Sequence, residues 1–194
     1  MTQAALTIKD TTLGKKYLMA ASGVVLFGFV FGHMLGNLQV FIGAQAMNDY
    51  AHTLHELPGF IAIEIGLLLM FVLHIALVIW LTVENRRARG GQGYVGGATK
   101  QTNGALRFLS SKTMAISGII LLAFLVVHIA DFRLARGEGE IYDQVTTKLQ
   151  VPWRMALYTV GSLLASWHVY HGFQSAFRSV GVSNKKYIPI LKTI

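Results

Sequence analysis

Cysteine is missing from all 194 residues of the sequence. Its absence excludes disulfide bonds, zinc–thiolate sites, iron–sulfur ligation by this chain and thioether attachment of a cofactor. Charged residues are scarce as well, at 13%, whereas a soluble domain usually carries about 25%. The composition therefore indicates that a lipid bilayer, rather than water, is the main solvent of the chain.

Acidic residues are few, nine against seventeen lysines and arginines, so the net charge is +8. A soluble protein this basic would suggest nucleic-acid binding. The basic residues, however, lie between long apolar runs instead of covering a globular surface. We therefore exclude nucleic acid as a partner.

The apolar runs predict transmembrane helices, because a helix of about 20 mainly apolar residues crosses a bilayer and satisfies its own backbone. We predict an all-α integral membrane helical bundle that forms one domain over residues 1–194. Its four helices are expected at about 17–41, 59–83, 113–134 and 153–177, with a cytoplasmic loop at 84–112. Ala44-Gln45-Ala46 also resembles a signal-peptidase site, but the run before it is long enough to span.

The basic residues predict the orientation of these helices. Thirteen of the seventeen lie in the two tails and the 84–112 loop, and four lie on the other side. Positive residues favour the cytoplasmic side. Both ends of this sequence are therefore expected in the cytoplasm.

A two-helix unit is repeated within the chain. Ser22-Gly23 and His33 match Ser117-Gly118 and His128 at an offset of 95 residues. In the second helix of each unit, His74 and His168 each follow a proline by 16 residues. Composition alone would explain matching leucines, but it does not explain four aligned histidines.

The predicted topology places these histidines at two depths. His33 and His128 lie about 15 residues into helices that run outward, and His74 and His168 lie about 15 residues into helices that run inward. Two pairs result, on planes roughly 15 Å apart in a core of about 30 Å. Ionisable residues inside a membrane are functional by default, and paired imidazoles are the usual axial ligands of b-type haem. We therefore predict two haem b groups, an outer one and an inner one.

Small residues precede each histidine on nearly the same helix face. Ser22 and Gly23 come before His33, and Ser117 and Gly118 come before His128. We interpret these four residues as haem surroundings. Gly66 and Gly161 stand similarly before His74 and His168. Ordinary close packing of membrane helices is the alternative explanation for such residues.

These residues resemble a known family, the single-subunit, di-haem cytochrome b of succinate:quinone oxidoreductases. The most specific match is the stretch from His168 to Phe177, and the resemblance covers nearly the whole chain. Further matching stretches are His33-Met34-Leu35-Gly36-Asn37-Leu38, Leu57-Pro58 with Glu64 and His74, His128 to Arg133, and Asn184-Lys185-Lys186-Tyr187. The resemblance implies that His33 and His128 share the outer haem and that His74 and His168 share the inner one. A fifth helix of the family would begin where this sequence stops.

The resemblance also implies a place in respiration. The chain would be the membrane anchor and electron-transfer subunit of a succinate dehydrogenase in the bacterial inner membrane, with no succinate chemistry of its own. A flavoprotein and an iron–sulfur protein would be its partners, together with membrane lipid. Quinone, expected to be menaquinone, would accept the electrons, and a higher oligomer of the complex is compatible with the family.

Other polar residues are candidates for supporting roles. Glu64 could carry protons, and members of the family place quinone chemistry near an outer acidic residue; Glu64, Asn37, His52 and His55 are our quinone or proton candidates. The alternatives are a helix-end carboxylate for Glu64 and surface positions for His52 and His55. The candidates for haem propionate contacts are His171 and Arg133. His171 could also replace His168 as a ligand, and Arg133 could be only an interfacial anchor.

Two other functions fit parts of the pattern. An anchor of a hydrogenase or formate dehydrogenase would also hold haem between histidines, but the Ser-Gly…His repeat with the His168–Phe177 stretch favours the succinate group. A transporter could bind divalent metal or protons through intramembrane histidines. A transporter would be expected to have carboxylates at the depth of the histidines. Glu64 is ten residues from His74 and therefore does not lie at that depth, which argues against a transporter.

Overall fold

The regular structure of the described residues is entirely helical. A computed structural model describes residues 11–88, 90, 111–135 and 139–179. The six α-helices are α1 (Thr12–Asn37), α2 (Ala44–Glu56), α3 (Phe60–Ala88), α4 (Ser111–Ile129), α5 (Ile141–Leu149) and α6 (Pro152–Ser179). A 3-10 turn (Leu38–Phe41) extends α1, and a π-helical turn (Ala130–Leu134) extends α4.

Three of these helices are long and apolar enough to cross a membrane. They are α1 with its 3-10 turn (Thr12–Phe41), α3 (Phe60–Ala88) and α4 with its π turn (Thr113–Leu134). The predicted all-α, multi-pass membrane protein is therefore confirmed at this level. Compared with the prediction, α1 begins five residues earlier, and α3 continues five residues into the predicted cytoplasmic loop, most of which lies outside the described residues.

The fourth predicted span differs from the other three in composition. It forms a helix, α6, of 28 residues, which is long enough to cross a bilayer. Polar and aromatic side chains such as Arg154, Tyr158, Trp167 and His168 alternate with its aliphatic ones, and they lower its mean hydropathy. For this reason α6 is not among the helices that qualify as spans by composition.

The described helices bury several polar side chains beside a few apolar ones and expose many large apolar ones, unlike a water-soluble protein. The buried polar side chains are Lys15, Ser22, Ser117, Asp131 and His171. Helix α3 exposes a long series of aliphatic side chains, including Ile61, Ile63, Ile65, Leu68, Leu69, Val72 and Ile79. Exposed apolar surface on this scale marks a surface that meets lipid or another protein.

Two short helices, α2 and α5, were not predicted from the sequence. The side-chain Oδ1 of Asn48 on α2 accepts a hydrogen bond from the backbone N–H of Tyr142 at 3.0 Å. Tyr142 is in the first turn of α5, where backbone donors have no partner within the helix. Close by, His52 Nε2 and Glu140 Oε2 are 3.0 Å apart. The apolar spacing of Met47, Tyr50, Ala51 and Leu54 is the helical signal that could have revealed α2.

The chain divides into two compact units. The first contains Met1–Leu26, Leu67–Met114 and Tyr170–Ile194, and the second contains Phe27–Gly66 and Ala115–Val169. Within the first unit, Lys15 forms an ion pair with Glu84, and its ammonium lies 4.2 Å from the centre of the Trp80 ring. These contacts join the amino-terminal end of α1 to the carboxy-terminal end of α3.

Candidate haem-binding histidines

Two of the predicted ligands face each other in the second unit. The rings of His33 on α1 and His128 on α4 have centroids 5.7 Å apart and are nearly perpendicular. Phe29 stacks on His33 at 5.5 Å. Aromatic side chains also surround His128, namely Phe124, Phe132 and Tyr158. The structure thus brings together the two histidines that the sequence places at one outer level, with aromatic rings packed against both of them.

The two imidazoles of this pair suit a metal ion for which a cofactor already supplies most of the ligands. Bonds from imidazole nitrogen to a metal are about 2 Å long, so two rings at this separation are close enough to serve one ion. Among the described residues, no group of three or more histidine, cysteine, aspartate or glutamate side chains could hold a bare ion. Two imidazoles are sufficient for haem because the porphyrin supplies the other four donors.

The histidine predicted for the inner level on α3 is held by α1, within the first unit. Ser22 Oγ lies 3.0 Å from His74 Nδ1 and donates a hydrogen bond to the backbone carbonyl of Met19 at 2.9 Å. A Cβ on Gly23 would lie 3.5 Å from His74 Cε1. The predicted small pair Ser22-Gly23 therefore contacts the imidazole of His74, although it shares its helix with His33.

The second unit repeats this arrangement at the matched positions. Ser117 Oγ on α4 lies 2.9 Å from His168 Nδ1 on α6. A Cβ on Gly118 would lie 3.4 Å from His168 Cε1. The same contact thus occurs in each helix pair. Because His74 and His168 belong to different units, their sharing of one haem stays a prediction.

The two candidates for propionate contacts have different surroundings. Arg133 donates two hydrogen bonds to the carboxylate of Glu64, at 3.0 and 2.9 Å, so both residues are engaged with each other. The structure therefore pairs a propionate candidate with a proton candidate, which the sequence treats separately. His171 is buried in α6, one turn after His168.

The remaining quinone candidates contact nearby parts of the second unit. Asn37 Nδ2 donates a hydrogen bond to the backbone carbonyl of His33 at 2.7 Å. His55 Nδ1 lies 2.7 Å from the carbonyl of Ala51, and its ring packs against Phe60. His52 meets Glu140, as described above. Their predicted roles with quinone remain predictions.

Comparison with known proteins agrees with these features. Residues 100–190 match the family described as succinate dehydrogenase/fumarate reductase transmembrane subunit. Over 165 residues the chain is 26% identical to the succinate dehydrogenase cytochrome b558 subunit of Bacillus subtilis (strain 168), which covers 83% of this chain and 76% of that protein. The predicted family resemblance is confirmed. No solved structure matches the chain.

The part that matches the transmembrane-subunit family contains α4 and α6, and with them a polar cluster of which the sequence predicts only that Asp131 pairs with a nearby arginine. The cluster is centred on Asp131, which is only 7% exposed. Its carboxylate lies 3.1 Å from Arg154 Nη2 and accepts a hydrogen bond from the Tyr158 hydroxyl at 3.1 Å. Lys148 Nζ donates to the backbone carbonyls of Asp131 and Ala135. The π-helical turn that follows His128 carries Asp131, and such turns occur often at functional sites.

We expect Asp131→Ala to destabilise the protein, because it leaves the Arg154 guanidinium and the Tyr158 hydroxyl without their shared partner. Breaking a fully buried pair costs about 3–5 kcal/mol, but the Arg154 side chain is 29% exposed. A loss of about 2 kcal/mol is therefore expected. Thermal unfolding in detergent measures it, and Asp131→Asn, which keeps the shape and one acceptor, should lose less. Equal melting of Asp131→Ala and the unaltered protein would contradict this assignment.

Proposed function

We propose that this chain is the membrane-anchor and electron-transfer subunit of a succinate:quinone oxidoreductase, and that it carries electrons from an iron–sulfur partner through two b haems to quinone. Two features support the proposal: the similarity to succinate dehydrogenase and fumarate reductase transmembrane subunits, and the four histidines on apolar helices. The single observation that carries it is the approach of His33 and His128, with aromatic rings packed against both of them. This chain alone performs no succinate chemistry.

The proposed assignment gives each histidine one task. Haem, when bound, supplies reversible one-electron transfer at a potential tuned by its protein ligands. His33 and His128 bind the outer iron, and His74 and His168 bind the inner one. The aromatic residues that pack against the outer pair give it apolar neighbours. Two histidine ligands for each haem would favour electron transfer over oxygen binding.

In the proposed topology α6 is the fourth span, and both ends of this sequence lie in the bacterial cytoplasm. This follows from the thirteen basic residues assigned to the cytoplasmic side. An iron–sulfur subunit would dock on that basic side, together with the flavoprotein that oxidises succinate. Quinone, expected to be menaquinone, would bind near the outer level, where the Glu64 carboxylate is held by Arg133. That carboxylate would move the protons that accompany quinone chemistry.

The spectrum of the protein in its membrane complex tests the cytochrome assignment. We expect a b-type signal when the dithionite-reduced spectrum is compared with the oxidised one, and haem extraction should yield close to two haems per chain. One haem per chain would overturn the four-ligand assignment. No haem in folded, membrane-inserted protein would overturn the cytochrome assignment altogether.

The electron donor distinguishes the proposed enzyme from other respiratory complexes with cytochrome b anchors. In isolated membranes, succinate should reduce the haems, and malonate, a competitive analogue of succinate, should block the reduction. Hydrogen and formate should not reduce the haems of the purified complex, which in this proposal contains no hydrogenase or formate dehydrogenase. Reduction by hydrogen or formate through this chain, without reduction by succinate, would contradict the proposal.

A further inference from the structure

Two serines each approach the Nδ1 atom of a proposed inner ligand. The Oγ of Ser22 lies 3.0 Å from His74 Nδ1, and the Oγ of Ser117 lies 2.9 Å from His168 Nδ1. Both serines are almost fully buried, at 3% and 5% exposure. The serine and its histidine come from neighbouring helices of the same repeat, α1 with α3 and α4 with α6. A contact repeated in both halves of the chain points to a common role.

The hydrogen bonds of Ser22 determine which nitrogen of His74 carries the proton. A serine hydroxyl has one hydrogen to donate, and a backbone carbonyl can only accept. The Ser22 hydrogen therefore goes to the Met19 carbonyl, 2.9 Å away. The contact with His74 is then a hydrogen bond only if Nδ1–H donates to Ser22 Oγ. In a neutral imidazole with its proton on Nδ1, the lone pair that binds a metal is on Nε2.

We propose that Ser22 and Ser117 are positioning residues that hold His74 and His168 in the Nδ1–H form, which leaves Nε2 of each ring available to bind haem iron. This inference rests on the haem function proposed above. Metal-binding histidines commonly donate their second N–H to an acceptor, which fixes the ring and makes the ligating nitrogen more basic. The serine hydroxyls provide this acceptor inside a membrane, where water is absent.

The adjacent glycines allow the rings to take this position. A Cβ added to Gly23 or Gly118 would lie within 3.5 Å of the Cε1 atom of the neighbouring histidine. A Cβ at either position would make an ordinary van der Waals contact with the imidazole edge between Nδ1 and Nε2, so only a side chain that extends beyond Cβ would press on the ring. Serine and glycine act together: the first binds one nitrogen of the ring, and the second leaves room for the ring beside the helix.

The outer pair is built differently. His128 Nδ1 is buried and has no hydrogen-bond partner among the described residues. Buried polar atoms normally have a partner, and those that do not need an explanation. Among the described residues, the serine contact thus occurs at His74 and His168 and not at His128. We therefore expect changes at the serines to affect the inner haem and to leave the outer haem unaltered.

Serine-to-alanine variants of the intact complex test the inference. Ser22→Ala and Ser117→Ala should each shift the midpoint potential of the same single haem to a more positive value, because a less basic imidazole favours the oxidised iron less. The low-spin electron paramagnetic resonance signal of that haem should shift as well, and its retention should fall about 10-fold or more. Ser22→Thr, which keeps the hydroxyl, should retain the original potential. The matched control is Ser166→Ala, since the Ser166 hydroxyl bonds to the Ser162 carbonyl of its own helix.

The possible outcomes separate this inference from the haem assignment itself. If the unaltered complex holds two haems and neither serine variant differs from Ser166→Ala in potential or spectrum, the positioning role is wrong and the haem function stands. If the two variants shift different haems, the shared inner site is wrong. In haem-depleted protein, nitrogen NMR of labelled histidine reads the tautomer directly. Loss of the Nδ1–H signal of His74 in Ser22→Ala supports the inference, and its absence from the unaltered protein overturns it.

Discussion

Replacing His33 with alanine should remove one of the two haems, and replacing His74 with alanine should remove the other. Each haem iron needs two axial imidazoles to remain bound in this assignment, so the loss of either one should reduce the haem content from about two per chain to about one. His128→Ala should reproduce the spectrum of His33→Ala because their rings lie 5.7 Å apart. Haem extraction and the reduced-minus-oxidised spectrum of each purified complex measure the effect.

Double variants make this prediction stricter. His33→Ala combined with His128→Ala should retain one haem, whereas His33→Ala combined with His74→Ala should retain none. Thr159→Ala is a suitable control, because its hydroxyl is exposed on α6 and bonds to the Met155 carbonyl. The pairing would be wrong if His33→Ala and His128→Ala, both present in the membrane at normal levels, removed different haems.

Gly161→Ala should strongly destabilise the second unit. A Cβ at this position would lie 2.5 Å from Cε2 of Phe124, closer than any tolerated contact. The Phe124 ring has little room to move, because it packs against Tyr158 at 5.4 Å and against His128 at 5.9 Å. Overpacking of this kind costs about 1–3 kcal/mol. Thermal unfolding in detergent should show the loss, and retention of the outer haem should fall because His128 is displaced.

Gly66→Ala is the matched control for this change. Gly66 also lies in a membrane helix, and a Cβ there would meet nothing within 4 Å. Alanine is the better helix former by about 1 kcal/mol, so this variant should be neutral or slightly more stable. If Gly161→Ala unfolded at the same temperature as Gly66→Ala, the Phe124 ring would be able to move aside without a cost in stability. The sequence offers the same two explanations for both glycines, helix packing or haem contact.

Gly161 and Gly66 are equivalent as far as the sequence shows. Both precede a candidate ligand by seven or eight residues, and nothing local distinguishes them. Only the rotation of α6 against α4 brings Gly161 under an aromatic ring. The pairing of Glu64 with Arg133 could not be predicted from the sequence either, because 69 residues separate the two charges along the chain. The serines were predicted as haem surroundings by their place before His33 and His128, yet they contact His74 and His168.

The helices that hold the site were largely predictable. Apolar runs of about 20 residues form helices in a bilayer because no other local structure satisfies the backbone there. The short helices α2 and α5 were not predicted, because long apolar runs indicate spans, whereas α2 and α5 are short, amphipathic and rich in polar residues. The fourth span was predicted from length, and its polar content leaves it less apolar than the other three.

The sequence by itself determined the all-helical membrane class, the family resemblance and the placement of His33 and His128 at one level. It did so because hydropathy and helical rise are local properties that can be read along the chain. The tertiary structure alone decided which atoms meet: Ser22 with His74 Nδ1, Arg133 with Glu64, and Asp131 with Arg154 and Tyr158. These contacts depend on how each helix is rotated and packed against its neighbours, and hydropathy along one helix carries no information about that rotation.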